Sequence, residues 1–283
     1  MLSTLLHGAA ITIMESFNPK ETAAAIKDGG LTIIYAVPAM YQLLSAVGRP
    51  EDFTKVRYFI SGGASLPETV ARNFQAKFGI PILEGYGLSE ASPVVCLNRP
   101  GHIKYCSIGE ALPGIKAKVI DEDNLEVPIG EVGELIVQGP NVMKGYFNLP
   151  DDTAKALRDG WLHTGDMAYC DEDGSFFIVD RIKDMIISSG ENVYPREIEE
   201  LLYAHPAISE AAVIGIPDKL RGQAGCAYVV IAEGHVFDKK ALRGYLNKKL
   251  AAYKVPREFV QVDALPKNST GKIMKRLLRD QAV

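Results

Sequence analysis

No stretch of the 283 residues approaches the ~20 apolar residues that a helix needs to cross a bilayer. A transmembrane segment is therefore not expected. The four cysteines, Cys96, Cys106, Cys170 and Cys226, are scattered and form no C-x-x-C pair. That excludes a disulfide scaffold and a zinc site, and it points to free thiols in a reducing compartment, with the cytoplasm as the expected location. The first 17 residues are apolar but carry no Lys or Arg ahead of the apolar run. They lack the charged region that opens a signal peptide and read as core. Internal repeats and low-complexity tracts are also missing. What is present is ordinary: 47% hydrophobic and 23% charged residues exclude a disordered or collagen-like chain, and the length allows two domains with a small third unit.

The net charge of −4 hides an asymmetry. Residues 239–283 hold twelve Lys/Arg against three Asp/Glu, a balance of +9, so the remaining residues carry −13. A basic end can meet phosphates, and it can equally be two solvated helix faces.

Along the chain, the first 85 residues alternate strand and helix. Strands are expected at 11–14, 31–37, 56–60 and 80–83. The sequence Asn18-Pro19-Lys20-Glu21 reads as a helix start, with Asn at the cap and Pro at the first helical position. Pro38 opens a second helix. Ser65-Leu66-Pro67-Glu68 has the form of a capping box before a third. This alternation predicts a parallel sheet with right-handed crossovers. A parallel sheet starting this abruptly would expose an edge, so residues are expected upstream. From 91 to about 180, short strands and frequent Gly/Pro/Asp turns predict a β-rich module, either a barrel or a distorted sheet. From about 184 the pattern is α+β. A helix opens at Pro195, strands fall at 211–216 and 226–232, and Asp238 caps a further helix.

Five segments could carry chemistry. Ser61-Gly62-Gly63-Ala64-Ser65 joins a strand to a helix and can present backbone N–H groups to an anion or base edge, although a tight turn needs glycine anyway. Glu84-Gly85-Tyr86-Gly87-Leu88-Ser89-Glu90 follows a strand, where ligands of open α/β sheets bind. Its tyrosine could stack on a base, Ser89 offers a hydroxyl, and Glu90 is a hard oxygen ligand suited to Mg²⁺ near phosphates. Asp166, in Trp161-Leu162-His163-Thr164-Gly165-Asp166, could accept two ribose hydroxyls or be a turn residue. Asp180-Arg181-Ile182-Lys183-Asp184 sits where the texture changes and reads as a linker able to absorb rotation. Lys272, in Ser269-Thr270-Gly271-Lys272-Ile273, is reachable on a polar loop. It is not a P-loop lysine, because Ile follows it and no glycine stands five residues before Gly271.

Taken together and in this order, these segments resemble the C-terminal half of the adenylate-forming acyl-CoA synthetases, the group that includes firefly luciferase. The matching text also includes Ser188-Ser189-Gly190-Glu191-Asn192-Val193-Tyr194-Pro195, whose Glu-Asn-Val-Tyr-Pro version is similar to fatty-acyl-CoA ligases. The resemblance implies a partial parallel α/β core, a β-rich subdomain and a mobile α+β C-terminal domain. The core would span 1–180, divided as 1–90 and 91–180. The C-terminal domain would span 184–283, with a hinge near 181–184. The implied activity is ATP-dependent acyl-CoA ligation: a carboxylate and ATP give acyl-AMP and pyrophosphate, and CoA then takes the acyl group. The implied ligands are ATP/AMP, Mg²⁺ and CoA, with a fatty acid as the substrate.

The resemblance also implies roles. Gly63 and Ala64 would line the adenine and Tyr86 would stack on it, with Glu84, Gly85 and Gly87 completing the nucleotide site. Ser89 would meet phosphate and Glu90 would hold Mg²⁺. Asp166 and Arg181 would bind the ribose, and Lys183 would be the hinge. Ser189 and Gly190 would line the CoA path. Lys272 would stabilise charge developing on carboxylate and phosphate oxygens. The family's phosphate loop ending in Pro-Lys-Gly is absent, and Ser89 replaces the commoner threonine. A truncated or fragment form is therefore expected, one that adenylates poorly alone and self-associates through uncovered apolar surface. An aryl acid or a carrier-protein thiol is the alternative within the family, and a non-catalytic adenylate-binding module is the alternative outside it. No aromatic interleaving accompanies the basic end, so nucleic acid is not an expected partner.

Overall fold

The computed structural model describes residues 2–268 and 271–281. Ser269 and Thr270, which open the Lys272 motif, lie outside the described residues. The chain forms three five-stranded sheets.

The first sheet follows α1 (Leu2–Leu6) and α2 (Pro19–Gly29). It contains β1 (Ile33–Ala36), β2 (Tyr58–Ser61) and β3 (Ile82–Gly87), connected by α3 (Pro38–Val47) and α4 (Glu68–Phe78). These three strands are parallel, with Ile34 beside Phe59 and Ile60 beside Leu83. Two antiparallel strands, β4 (Val94–Leu97) and β5 (Glu110–Ala111), continue the same sheet past β3. Burial is concentrated on one side, where Tyr41, Phe53, Phe59 and Phe74 are essentially inaccessible. Their rings pack mostly edge to face, with Phe59 and Phe74 centroids 4.8 Å apart. Such aromatic contacts add to the burial of the rings themselves. On the other face Tyr35 of β1 is 69% exposed.

Two local expectations fail here. Residues 11–14 are not a strand. Ile13 and Met14 are exposed, and an apolar run with no neighbour to pair with gains nothing from extension. The helix after the Gly-rich turn is not capped by Ser65. Pro67 occupies the cap position, with no side-chain cap bond. The Glu68 N–H donates instead to Glu200 Oε2 at 3.3 Å, a carboxylate 132 residues away.

The second sheet is antiparallel. It contains β6 (Lys116–Ile120), β7 (Gly133–Gln138), β8 (Leu157–Arg158), β9 (Trp161–Cys170) and β10 (Phe176–Arg181), with α5 (Pro150–Ala156) between β7 and β8. Its order, β10-β9-β7-β6, is an open path, so the module is a distorted sheet and not a barrel. Its core joins Leu135, Val137 and Leu162 to Ala91, Val95 and Ile108, which ties it to the end of the first sheet.

The third sheet contains β11 (Ile186–Ser188), β12 (Glu191–Val193), β13 (Ile208–Asp218), β14 (Gly222–Ile231) and β15 (Glu258–Gln261). Its helices are α6 (Pro195–Tyr203), α7 (Lys239–Asn247) and α8 (Lys275–Gln281). β13 is apolar without alternation because both its faces are covered. Ala211 and Val213 join the core under α6 and α7, while Ala212 and Ile214 pack with Leu278 of α8. The basic C-terminal stretch is substantially neutralised. Lys239, Lys254, Arg257, Lys267, Lys275 and Arg279 each pair with a carboxylate.

Candidate functional site

A cleft of about 580 Å³ opens where the three sheets meet. That volume suits a small-molecule ligand. The parallel strands point their carboxyl ends into it. Gly63 and Ala64 follow β2, and Glu84, Gly85, Tyr86 and Gly87 end β3; all six line the cleft. From the other side come Asp166 of β9, Arg181 of β10, Lys183 and Lys272. Sequence positions 63 to 272 are thus brought to one cleft.

Asp166 is the centre of this geometry. It is only 4% exposed. Backbone register places it beside Arg181 on the neighbouring strand, and Arg181 Nε donates to Asp166 Oδ1 at 3.1 Å. Tyr86 Oη donates to Asp166 Oδ2 at 2.5 Å. Burial and the adjacent Asp166 carboxylate push the Tyr86 phenol well above its ordinary value, so it stays protonated and donates. One buried carboxylate at the cleft therefore links three elements. Gly87 permits the tight return of the chain after Tyr86: a Cβ there would sit 1.8 Å from the Pro93 carbonyl oxygen.

Glu84 lines the cleft as well. Its side chain is buried, and Oε1 accepts the Leu66 N–H at 3.0 Å. Burial raises its pKa to about 7, against the pull of Arg196.

Lys272 is held in a tight turn. Its N–H donates to Asn268 Oδ1 at 2.9 Å, and its carbonyl accepts from Asn268 N–H at 3.0 Å. Burial and the neighbouring Arg181 lower the pKa of its ammonium, Asp166 opposes them, and Lys183 and Asp184 add smaller opposed effects. The ammonium thus lies in a cleft that Arg181, Lys183 and Arg196 also line. Lys275, one turn on, pairs with Glu199 at 2.8 Å. Burial works against its charge, but Glu199 and Asp180 outweigh it and raise its pKa.

Four of the sequence candidates lie outside the lining of the cleft. Ser89 and Glu90 form a short 3₁₀ turn beyond Gly87. Glu90 Oε1 accepts from Tyr146 Oη at 2.8 Å, and its backbone carbonyl accepts the Met143 N–H at 2.7 Å. Ser189 and Gly190 make the turn of the β11–β12 hairpin, both at positive φ, with Ser189 N–H bonded to the Arg221 carbonyl.

Sequence reasoning missed the residues that bind the third sheet to the first two. Asp180 is buried and accepts the Arg181 N–H at 2.7 Å and the Arg196 N–H at 2.8 Å, capping α6 from another strand. Arg196 reaches back to the Ile178 carbonyl at 2.7 Å. The local signal was an acid opening the 180–184 linker motif, fifteen residues before a proline-initiated helix, which by itself does not predict a contact with that helix.

A family model described as AMP-binding enzyme matches residues 1–147, and one described as AMP-binding enzyme C-terminal domain matches residues 197–272. Feruloyl-CoA synthase of an Amycolatopsis species is 41% identical over 282 residues, covering 98% of this chain and 57% of that protein. Long-chain-fatty-acid–CoA ligase of Bacillus subtilis is 42% identical over 280 residues, covering 97% and 50%. The chain spans about half the length of the curated relatives it matches. The crystal structure of ATP-bound MatB from Rhodopseudomonas palustris aligns with a TM-score of 0.94 at 35% identity, over 98% of this chain and 56% of that one. The apo structure of MatB from the same organism covers the same shares at 36% identity, with a TM-score of 0.77. The chain belongs to the AMP-binding enzyme family.

Proposed function

We propose that this chain carries the adenylate-binding portion of an ATP-dependent acid–CoA ligase. In the first step a substrate carboxylate oxygen bonds to the α-phosphorus of ATP, and the bond to the departing pyrophosphate breaks. In the second, the sulfur of CoA bonds to the acyl carbon and AMP leaves. The observation that carries the reading is the buried Asp166, held by Tyr86 and Arg181 in the cleft that also receives Lys272. A carboxylate at the cleft suits a ribose diol. A lysine contributed from a separate segment near the C-terminus suits charge that appears only in the transition state.

The remaining roles follow. Gly63, Ala64 and the backbone of residues 84–87 line the adenine, with Tyr86 presenting its ring. Ser89 meets phosphate. Glu90 is a hard oxygen ligand with one hydroxyl partner. That fits Mg²⁺, which takes one or two carboxylates beside substrate phosphates and neutralises their charge. Lys183 is the hinge between a core of residues 1–180 and a C-terminal domain of residues 184–283. Ser189 and Gly190, at an exposed hairpin turn, would line the CoA path.

The acid is a fatty acid in the reading favoured by Glu191-Asn192-Val193-Tyr194-Pro195 and by the likeness to the Bacillus subtilis ligase. The equal likeness to feruloyl-CoA synthase favours an aryl acid as the second reading. The four free cysteines accord with a cytoplasmic setting, and among the described residues no helix is long and apolar enough to cross a membrane.

The test is calorimetric titration of the 283-residue chain with a non-hydrolysable acyl-AMP mimic in Mg²⁺. Asp166→Ala is expected to weaken binding by about tenfold or more, the scale of losing charge-assisted hydrogen bonds. Equal affinity in the two proteins would overturn the assignment of the cleft.

A further inference from the structure

Asp166 reaches the cleft because β9 bulges, and the bulge has its own support. On β7, Glu134 pairs with Met167 and Ile136 pairs with His163. Leu135 alone therefore faces three residues of β9: Thr164, Gly165 and Asp166. Extra residues in one strand bend it and re-aim a side chain, and they leave backbone groups unpaired. Gly165 takes φ +70, which favours glycine.

The unpaired groups are met by β7. Glu134 Oε1 accepts the Gly165 N–H at 3.0 Å, and Glu134 Oε2 lies 2.7 Å from His163 Nδ1. Thr164 Oγ1 donates to the Leu135 carbonyl at 2.6 Å and accepts the Asp166 N–H at 3.1 Å. The Glu134 and His163 side chains are 16% and 6% exposed, so these bonds compete little with water. Glu134 does not line the cleft.

We propose that Glu134 is a positioning residue for Asp166: its carboxylate clamps the centre of the β9 bulge and the residue that precedes it, through Gly165 N–H and His163 Nδ1, and so fixes where the ribose-facing carboxylate points. The proposal rests on the nucleotide reading of the cleft for its functional consequence, but not for the clamp itself.

Two measurements on the full chain separate these. The first is titration with AMP and with 2′,3′-dideoxy-AMP. Glu134→Ala is expected to weaken AMP binding about tenfold and leave the dideoxy analogue unchanged, since only the diol contact depends on Asp166. Added to Asp166→Ala, it should cost nothing further, as expected for residues acting as one unit. Glu134→Gln should retain affinity within about twofold, because its amide can accept from Gly165 N–H with its oxygen and face His163 Nδ1 with its nitrogen. Equal losses for the two ligands, or additive losses with Asp166→Ala, would overturn the proposal.

The second measurement is amide hydrogen exchange without ligand, with thermal unfolding as a fold control. Glu134→Ala should speed exchange at Gly165 and Asp166 while leaving β13 and β14 protected. Unchanged exchange there would overturn the clamp. If Glu134→Ala lowers protection everywhere, Thr164→Val replaces it, and the same local loss is required. If the unsubstituted chain binds both ligands equally, the ribose reading of Asp166 fails, and exchange alone decides for or against the clamp.

Discussion

Glu84→Gln isolates the energetic cost of a buried carboxylate at the end of β3. The side chain is 5% exposed and keeps one strong partner, the Leu66 N–H. Burial raises its pKa from 4.5 to about 7, with Arg196 and the Leu66 bond pulling it down and Glu200 pushing it up. The folded state therefore holds a proton that the unfolded chain has released. Below about pH 4.5 both states are protonated and nothing is lost. As pH rises to about 7, the unfolded state is increasingly favoured, and above that the cost is constant. At about 1.4 kcal/mol for each pH unit between 4.5 and about 7, the full cost is about 3 kcal/mol. Glutamine keeps the acceptor for Leu66 and cannot ionise. Urea unfolding of both proteins at several pH values between 4.5 and 8 measures the difference. The stability of Glu84→Gln relative to the parent should climb by up to about 3 kcal/mol across that range and then level off. Parallel profiles, or a parent that gains on the variant as pH rises, would refute the argument.

Two further substitutions probe packing. Tyr41 is fully buried, and its hydroxyl is shared between the Ile60 carbonyl at 2.8 Å and the Ile34 carbonyl at 3.0 Å, on adjacent parallel strands. Tyr41→Phe should cost about 1–2 kcal/mol in urea unfolding, because two buried acceptors lose their donor; a neutral result would contradict that. Gly87→Ala would drive a Cβ to 1.8 Å from Pro93 backbone, so the turn carrying Tyr86 must shift. Affinity for the acyl-AMP mimic should fall about tenfold or more, and retained affinity would show that the turn has slack.

The elements readable in the sequence are those whose signals are local. Asn18 caps α2 by accepting from Lys20 and Glu21 N–H groups, and Asp238 does the same for α7. Pro38 and Pro195 open their helices where expected. Where the deciding partner is distant, the pattern misleads. Ser65 has the right spacing for a cap, but the terminus of α4 is served by Glu200. Residues 11–14 have strand composition and no partner strand among the described residues. The site divides similarly. Each motif was ambiguous alone, and only the resemblance joined Tyr86, Asp166, Arg181 and Lys272, which the fold collects into one cleft. Glu134 was invisible because an acid in Gly133-Glu134-Leu135-Ile136-Val137 reads as the solvent side of a strand. Its function depends on a bulge in β9 that no periodicity announces.

The contacts around Lys272 divide according to which body they belong to, and the division bears on the proposed hinge. Lys267–Glu210 at 2.6 Å and Lys275–Glu199 at 2.8 Å tie the Lys272 turn and α8 to the third sheet. Arg279 ties α8 to Asp184, inside the proposed hinge. These pairs would travel together. Contacts that cross to the first two sheets are of another kind: Asp180 to the Arg196 N–H, Arg196 to the Ile178 carbonyl, and Glu200 to the Glu68 N–H. They are polar bonds between groups that water can serve once separated, so breaking them costs far less than opening an apolar core. The two apolar cores of the third sheet draw no residue from before 186. With the proposed hinge at Lys183, a unit with its own core and its own ion pairs, joined to the rest by replaceable hydrogen bonds, would deliver Lys272 to Asp166 and withdraw it without unfolding.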